Sequence, residues 1–184
     1  MNDQDLRAAI GELKARAEIT EVCHRYCRAL DRVDEAMLRS VFHADSTHQH
    51  GPFKGSSSDF CGFAIQLLKV LARTQHLLGN VSVALQGDVA HVESYFLAYH
   101  RLPRGNEGPG PFATHDTSIE EDVLIGGRYI DRFERRAGVW KIASRQGLHE
   151  WEQWSVASDR HFPLMGIDEI GRRDRSDPVY RGVG

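Results

Sequence analysis

Asp31 and His76 are the side chains best suited to acid–base chemistry. Asp31 closes a long helical pattern, in Tyr26-Cys27-Arg28-Ala29-Leu30-Asp31. His76 opens the first run with strand periodicity, in Thr74-Gln75-His76-Leu77-Leu78-Gly79-Asn80-Val81. A helix end and a strand start that meet at a pocket mouth would hold an imidazole against a carboxylate. The carboxylate would fix the ring's tautomer, and the ring would act as a general base. Each residue alone has a plainer reading. A helix-end aspartate, which the helix dipole disfavours, can pair with Arg28 or Arg32. A strand histidine can be a satisfied core residue. The rest of the chain offers no nucleotide loop and no nucleophile motif.

A second polar run, His43-x-Asp45-x2-His48-x-His50, has the residue types of a metal site. His48 and His50 would share one strand face, with Asp45 near them. Structural zinc takes four ligands, however, and no further Cys or His follows at finger spacing. A polar strand face is the better expectation, with no metal and no cofactor. Arg145 could stabilise negative charge that develops on a substrate. It could equally form an ion pair with Asp131, Glu134 or Glu150. Tyr95, Phe96, Tyr99 and Phe133 are expected to be mixed core and pocket lining.

Composition narrows the partners. The chain has 184 residues, 41% hydrophobic and 27% charged, with a formal net charge of −3. That describes one globular domain large enough to bury a core. Near-neutral charge gives no electrostatic case for nucleic acid or an anionic membrane. Cys23, Cys27 and Cys61 form no disulfide framework and are expected to be free thiols, the first two as small apolar fillers one helical turn apart. The polar, acidic start has no signal-peptide character, and no apolar run reaches the length of a membrane span. The expected location is cytoplasmic.

The elements that must position the candidate pair can be read in order. Residues 4–31 are helical in pattern, capped by Asn2 or Asp3, with a break expected around residues 17–20. A second helix is expected over 34–42, then a short strand at 46–50 before Gly51-Pro52. A loop at 55–59 caps a third helix that ends near Arg73. The period then changes from helical to two. Strands at 75–85 and 89–101 flank the turn Gly87-Asp88, and strands at 119–136 and 139–154 flank Ala137-Gly138. Residues 102–111 read as a mobile loop, and the acidic run from Asp116 to Asp122 as a solvated edge or lid. Helices followed by long antiparallel strands make an α+β fold.

Four segments in this order resemble the SnoaL-like branch of the nuclear-transport-factor-2-like proteins, a branch that includes scytalone dehydratase, bile-acid dehydratase and lindane dehydrochlorinase. They are Tyr26-x4-Asp31, Leu38-x3-Phe42-x2-Asp45, His76-x2-Gly79-Asn80, and Tyr129-x3-Phe133-Glu134-Arg135-Arg136-x-Gly138-Val139-Trp140-Lys141-Ile142. The resemblance implies a cone-shaped α+β barrel over residues 1–154, three N-terminal helices packing into the concave face of a curved, mostly antiparallel sheet. Residues 155–184 are left as a tail that covers the pocket or a neighbouring subunit. It also implies Asp31 and His76 as a catalytic dyad, and Tyr26, Tyr129 and Arg145 as substrate-binding side chains. His149 and Trp151 lie further along Arg145's strand on the same alternate face. Scytalone dehydratase uses a second pocket histidine, for which His91, His100 and His149 are the candidates here.

The activity so implied is that of a cofactor-free lyase or isomerase acting on a mostly apolar cyclic molecule of steroid, polyketide or aromatic type. The competing expectation is a non-catalytic binding or assembly module, like the small subunit of ring-hydroxylating dioxygenases. Fold alone does not choose between them. A homo-oligomer, dimer or trimer, is expected either way.

Overall fold

The structure is a computed structural model that describes residues 1–105, 112, 116–158, 165–166 and 169–182. The chain begins with α1 (Asp3–Asp31), whose N-cap is Asn2. Asn2 Oδ1 accepts the Asp5 N–H while an Asp5 carboxylate oxygen accepts the Asn2 N–H, which satisfies two of the helix's otherwise unpaired donors. The break expected at residues 17–20 does not occur. The helix is continuous, because its buried stripe from Ala15 through Ile19, Val22, Cys23 and Tyr26 packs on one side throughout. The turns before Ala15 stand free of the core, and Leu6, Ile10 and Leu13 are exposed there.

After α1 come α2 (Glu35–Ser40), β1 (Phe42–His50), β2 (Phe53–Ser56) and α3 (Ser57–Lys69). The strand β2 had no signal in the sequence. It is only four residues long, and a Gly-Pro turn separates it from β1. Ser56 caps α3, accepting the Asp59 N–H at 3.0 Å. Four long strands follow: β3 (Arg73–Gln86), β4 (Val89–Leu102), β5 (Glu121–Arg136) and β6 (Val139–Val156). The expected hairpins are present. At the first turn only Gly87 has positive φ, +63°, whereas at the second both Ala137 and Gly138 are left-handed, with φ +50° and +79°; both patterns suit two-residue hairpins.

The six strands form one sheet in the order β2-β1-β6-β5-β4-β3. All neighbours are antiparallel except β1 and β6, which run parallel. The sheet curves without closing, so the cone is open, with β2 and β3 at its edges. The helices cover the concave face, α1 lying against β3 and α3 against β1. Buried side chains from α1, α3 and the inner faces of β4, β5 and β6 make one core.

Besides a shift of β1 against β6 between Phe42 and Thr47, three irregularities in strand pairing set which side chains of β3 and β6 face inward. In β3 an extra residue at Gly79-Asn80 shifts the pairing between Leu78 and Val81. In β6 Ala143 is the extra residue opposite Arg132 and Phe133, and Glu150 is extra opposite Gly126 and Gly127. Each bulge exchanges the inner and outer faces of the residues beyond it.

The tail is neither wholly irregular nor detached. It ends in α4 (Val179–Gly182), and the stretch before it docks on its own chain. Arg32 donates to Asp177 at 2.9 Å, Tyr180 donates to Asp34 at 2.9 Å, and Arg173 donates to the carbonyls of Leu68 and Leu71. Most of the expected mobile loop, residues 106–111, lies outside the described residues. Among the described residues no helix is long and apolar enough to cross a membrane.

Candidate active site

Asp31 is the last residue of α1, and the chain beyond it fixes its place. Arg32 is the C-cap and Val33 takes the left-handed conformation, φ +51°, that normally calls for glycine. The Asp34 N–H bonds to the Ala29 carbonyl at 2.9 Å and the Val33 N–H to the Leu30 carbonyl at 3.2 Å, the paired bonds of a Schellman motif. A β-branched residue is strained in that region. The strain sits two residues from Asp31, in a turn that packing and hydrogen bonds hold shut.

The two arginines nearest Asp31 in sequence, Arg28 and Arg32, are used elsewhere. Arg32 pairs with Asp177, and Arg28 lies over the Tyr180 ring at 5.7 Å. The carboxylate instead turns to β3. Its Oδ2 accepts the backbone N–H of His76 at 2.9 Å, and its Oδ1 accepts that residue's Nδ1–H at 2.8 Å. Both side chains are buried, His76 at 6% exposure and Asp31 at 11%. An ionised carboxylate only accepts, so the neutral ring carries its proton on Nδ1 and its lone pair on Nε2. The anchor on the backbone amide and the anchor on the ring together leave the imidazole little freedom to turn.

His76 lines a cavity that leaves about 110 Å³ for the centres of water-sized atoms. Its wall is mostly apolar, from Leu30 and Ala64 on the helices to Phe96 and Ile125 on the sheet. Its polar members are Tyr26, Tyr129, Glu152 and the four histidines His50, His76, His100 and His149. The sheet register orders several of them. His76 pairs with Ala98, Ala98 with Ile125, and Ile125 with Glu152. His76 and Glu152 therefore sit at opposite ends of one row, three strand spacings apart, about 14 Å if the sheet were flat. One row along, Phe96 pairs with Gly127 and Gly127 with His149. His100 stands edge-on to His76, ring centroids 5.5 Å apart, and burial holds it well below the usual imidazole range.

Tyr26 and Tyr129 both line the cavity and meet edge to face at 5.5 Å. Arg145 is placed differently from the expectation. It is not on the cavity wall but behind the two tyrosines, its guanidinium 3.9 Å from the Tyr26 ring centre and 4.2 Å from that of Tyr129. It grips Asp131 with two bonds, Nε to Oδ1 at 2.7 Å and Nη2 to Oδ2 at 2.6 Å. Burial opposes the Arg145 charge, but Asp131 outweighs it and pushes the guanidinium further above its usual range. Of the uses read from the sequence, the ion pair with Asp131 is the one formed. Arg145 supports the pocket tyrosines through cation–π contact.

His149 and Trp151 do not share a face, because the bulge at Glu150 separates them. His149 stays on the concave side and lines the cavity mouth. Trp151 goes to the other side, where it is 49% exposed and its indole lies so close to Gly126 that any Cβ there would collide. The same bulge brings Glu152 to the cavity, a placement that no local pattern signals.

His50, read from the sequence only as part of the polar run, also lines the cavity. It ends β1, and its Nε2 lies 2.9 Å from Nε2 of His149. Burial, then the neighbouring His149, brings its pKa down to about 3. Burial also lowers His149. The pairing spans 99 residues of sequence, so no local pattern carried it.

The remaining residues of the polar run separate. His43 Nε2 meets the Glu134 carbonyl at 3.0 Å, Asp45 pairs with Arg136 at 2.6 Å, and His48 is buried flat against Phe60 at 3.4 Å. Burial also pushes the thiols up, Cys23 and Cys27 to about 12 and Cys61 to about 11, so all three stay protonated.

An open α+β cone with a carboxylate-anchored histidine in an apolar cavity defines a class, and comparison with known proteins places the chain within it. Residues 11–146 match the SnoaL-like domain, and the chain belongs to that family. No curated protein matches the sequence. The fold is similar to a hexachlorocyclohexane dehydrochlorinase (LinA) of type 2, with 21% identity, TM-score 0.67, and coverage of 86% of this chain and 99% of that one. It is also similar to the Kfla4162 protein of Kribbella flavida, with 23% identity, TM-score 0.62, and coverage of 75% and 92%. A third similar structure is a candidate scytalone dehydratase from Novosphingobium aromaticivorans, with 20% identity, TM-score 0.64, and coverage of 84% and 97%.

Proposed function

We propose that the protein is a lyase or isomerase in which His76 removes a proton from carbon, without a cofactor, in a mostly apolar cyclic small molecule. The observation that carries this reading is the double grip of Asp31 on His76. It takes up Nδ1 and the backbone amide, and leaves Nε2 as the basic nitrogen of a ring that lines the apolar cavity. In the reaction the C–H bond breaks and its proton moves to Nε2. The electron pair then forms a carbon–carbon double bond as a neighbouring group leaves, or moves onto a conjugated carbonyl oxygen. The imidazolium that forms faces the Asp31 carboxylate, which stabilises it. A base so positioned contributes about 10² to 10⁴ in rate. Tyr26 and Tyr129 are the hydroxyl-bearing side chains placed to meet the ring of the substrate, held by Arg145 behind them.

The apolar wall supports a hydrophobic ring as ligand, since such pockets use a few polar groups for orientation. The dehydrochlorinase and scytalone dehydratase named among the similar structures point to elimination as the reaction type. The test is a screen of cyclic ketones, β-hydroxy ketones and chlorinated rings in deuterated water. Mass spectrometry follows loss of water or halide and uptake of deuterium. Turnover by the wild type that His76→Ala abolishes is the expected result. Binding of a panel member with neither elimination nor exchange would return the protein to the class of ligand-binding modules. The chain is also proposed to self-associate as a dimer or trimer, because Leu6, Ile10 and Leu13 project from α1 uncovered. A monomer by light scattering at working concentration would overturn that.

A further inference from the structure

The cavity has a second polar end that the proton-abstraction reading does not use. His50, His149 and Glu152 line it toward β1 and β6, across the concave face from His76 on β3. The floor between the two ends is Ala98, Ile125 and Phe96, all apolar. A ligand that fills the cavity is therefore read by polar groups at two separated places.

The proton positions at this end follow from its geometry. His50 and His149 face each other through Nε2 at 2.9 Å, so one ring donates to the other. The Nδ1 of His50 is buried without a hydrogen-bond partner, close against the backbone of Gly147. A buried donor without a partner is rarer and costlier than a buried acceptor. His50 therefore keeps its proton on Nε2 and donates it to His149. The neutral His149 then carries its own proton on Nδ1, as a fixed donor at the cavity mouth. Burial favours the neutral form of both rings, which agrees with this assignment. The Glu152 carboxylate, on the same rim, only accepts.

We infer that the His50–His149 pair and Glu152 form a subsite for a hydroxyl group, so that the ligand is an uncharged cyclic phenol or alcohol whose hydroxyl lies remote from the carbon that gives up its proton. A hydroxyl is the group that can accept from an imidazole N–H and donate to a carboxylate at once. An ether has nothing to give Glu152, and Glu152 repels a carboxylate. His50 is a positioning residue here, since it fixes which nitrogen of His149 bears hydrogen. The inference rests on the reading of His76 as the base only for the direction in which the ligand lies.

The test is equilibrium binding of 2-naphthol, 2-methoxynaphthalene and 2-naphthoate, followed by NMR titration. The proteins are wild type, Glu152→Leu, His149→Phe and His76→Ala. Wild type should prefer the phenol to its methyl ether by on the order of tenfold, the effect of one hydrogen bond to a charged acceptor, and should bind the carboxylate least. Glu152→Leu and His149→Phe should each bring phenol and ether close to equal affinity. His76→Ala should keep the preference. Glu152 stands on the rim with its main contact at Trp154, so that variant should fold even if His149→Phe does not. A wild type without preference, or a preference lost in His76→Ala and kept in Glu152→Leu, would overturn the inference. These probes undergo no elimination, so the outcome is independent of whether His76 acts as a base.

Discussion

Replacing Asp31 by asparagine tests the dyad at its most specific point. The carboxylate does two jobs with two oxygens, accepting the His76 N–H at 2.9 Å and its Nδ1–H at 2.8 Å. An amide has one oxygen and one NH2 group. If the amide oxygen keeps the ring proton, the NH2 group confronts the backbone N–H of His76, two buried donors together, at a cost of about 1–3 kcal/mol. If the oxygen keeps the backbone N–H, the NH2 group donates to Nδ1, and the ring adapts by moving its proton to Nε2. The second arrangement wins because a tautomer change costs less than a buried donor clash. The fold then survives, but the nitrogen that faces the cavity carries hydrogen and cannot take another. The rate should fall by about 10² to 10⁴, which is about 3–5 kcal/mol of barrier. Long-range proton–nitrogen NMR on histidine-labelled protein reads the tautomer without any substrate. Wild type should show His76 protonated on Nδ1, and the variant on Nε2. A variant that keeps the wild-type tautomer, or that turns over an identified substrate undiminished, would refute the reasoning.

Three further outcomes follow from the same geometry. Burial depresses His48 to about 2, His50 to about 3 and His100 well below the usual value of 6.5, so the folded protein binds fewer protons than the unfolded chain in mild acid. Their contribution to stability is complete above pH 6.5 and is lost as pH falls toward 3, each histidine removing up to about 1.4 kcal/mol per pH unit. Thermal melts from pH 7.5 down to 4 should fall steeply, and a flat profile would contradict the burial of these rings. Asp131→Ala or Arg145→Ala should each cost about 3–5 kcal/mol, since either leaves a buried charge alone, whereas the pair Asp131→Leu with Arg145→Met should recover much of the loss. Urea denaturation measures all three, and single variants as stable as wild type would remove the ion pair from the account of how the tyrosines are held. Gly127→Ala would drive a Cβ into the Leu148 carbonyl and within 2.6 Å of the Phe96 ring. That overpacking should cost about 1–3 kcal/mol and narrow the cavity, and a variant of unchanged melting temperature and ligand affinity would count against the close strand approach there.

Local order accounts for what could be read before folding. The cap at Asn2, the turns at Gly87 and Ala137-Gly138, and the change from helical to strand period all depend on residues a few positions apart. Asp31 and His76 were legible for a related reason. One closes a helix and the other opens a strand, and the resemblance to a known family supplied the expectation that such ends meet. The strand β2 was missed because four residues between a Gly-Pro turn and a helix cap carry no period of their own.

The rest was decided by contacts between distant segments. Arg145 had three acids within reach on paper, and only the register of β5 against β6 selects Asp131 as the one directly opposite. Trp151 left the cavity and Glu152 entered it because a single extra residue at Glu150 exchanges the two faces of β6. His50 met His149 because β1 runs parallel to β6, a pairing that brings together residues 99 apart in the chain. The sequence by itself determined most of the helices and strands, since these rest on short-range patterns, and marked Asp31 and His76 as candidates at the ends of two of them. The composition of the cavity wall depends on bulges and long-range register, and those exist only once the sheet has assembled.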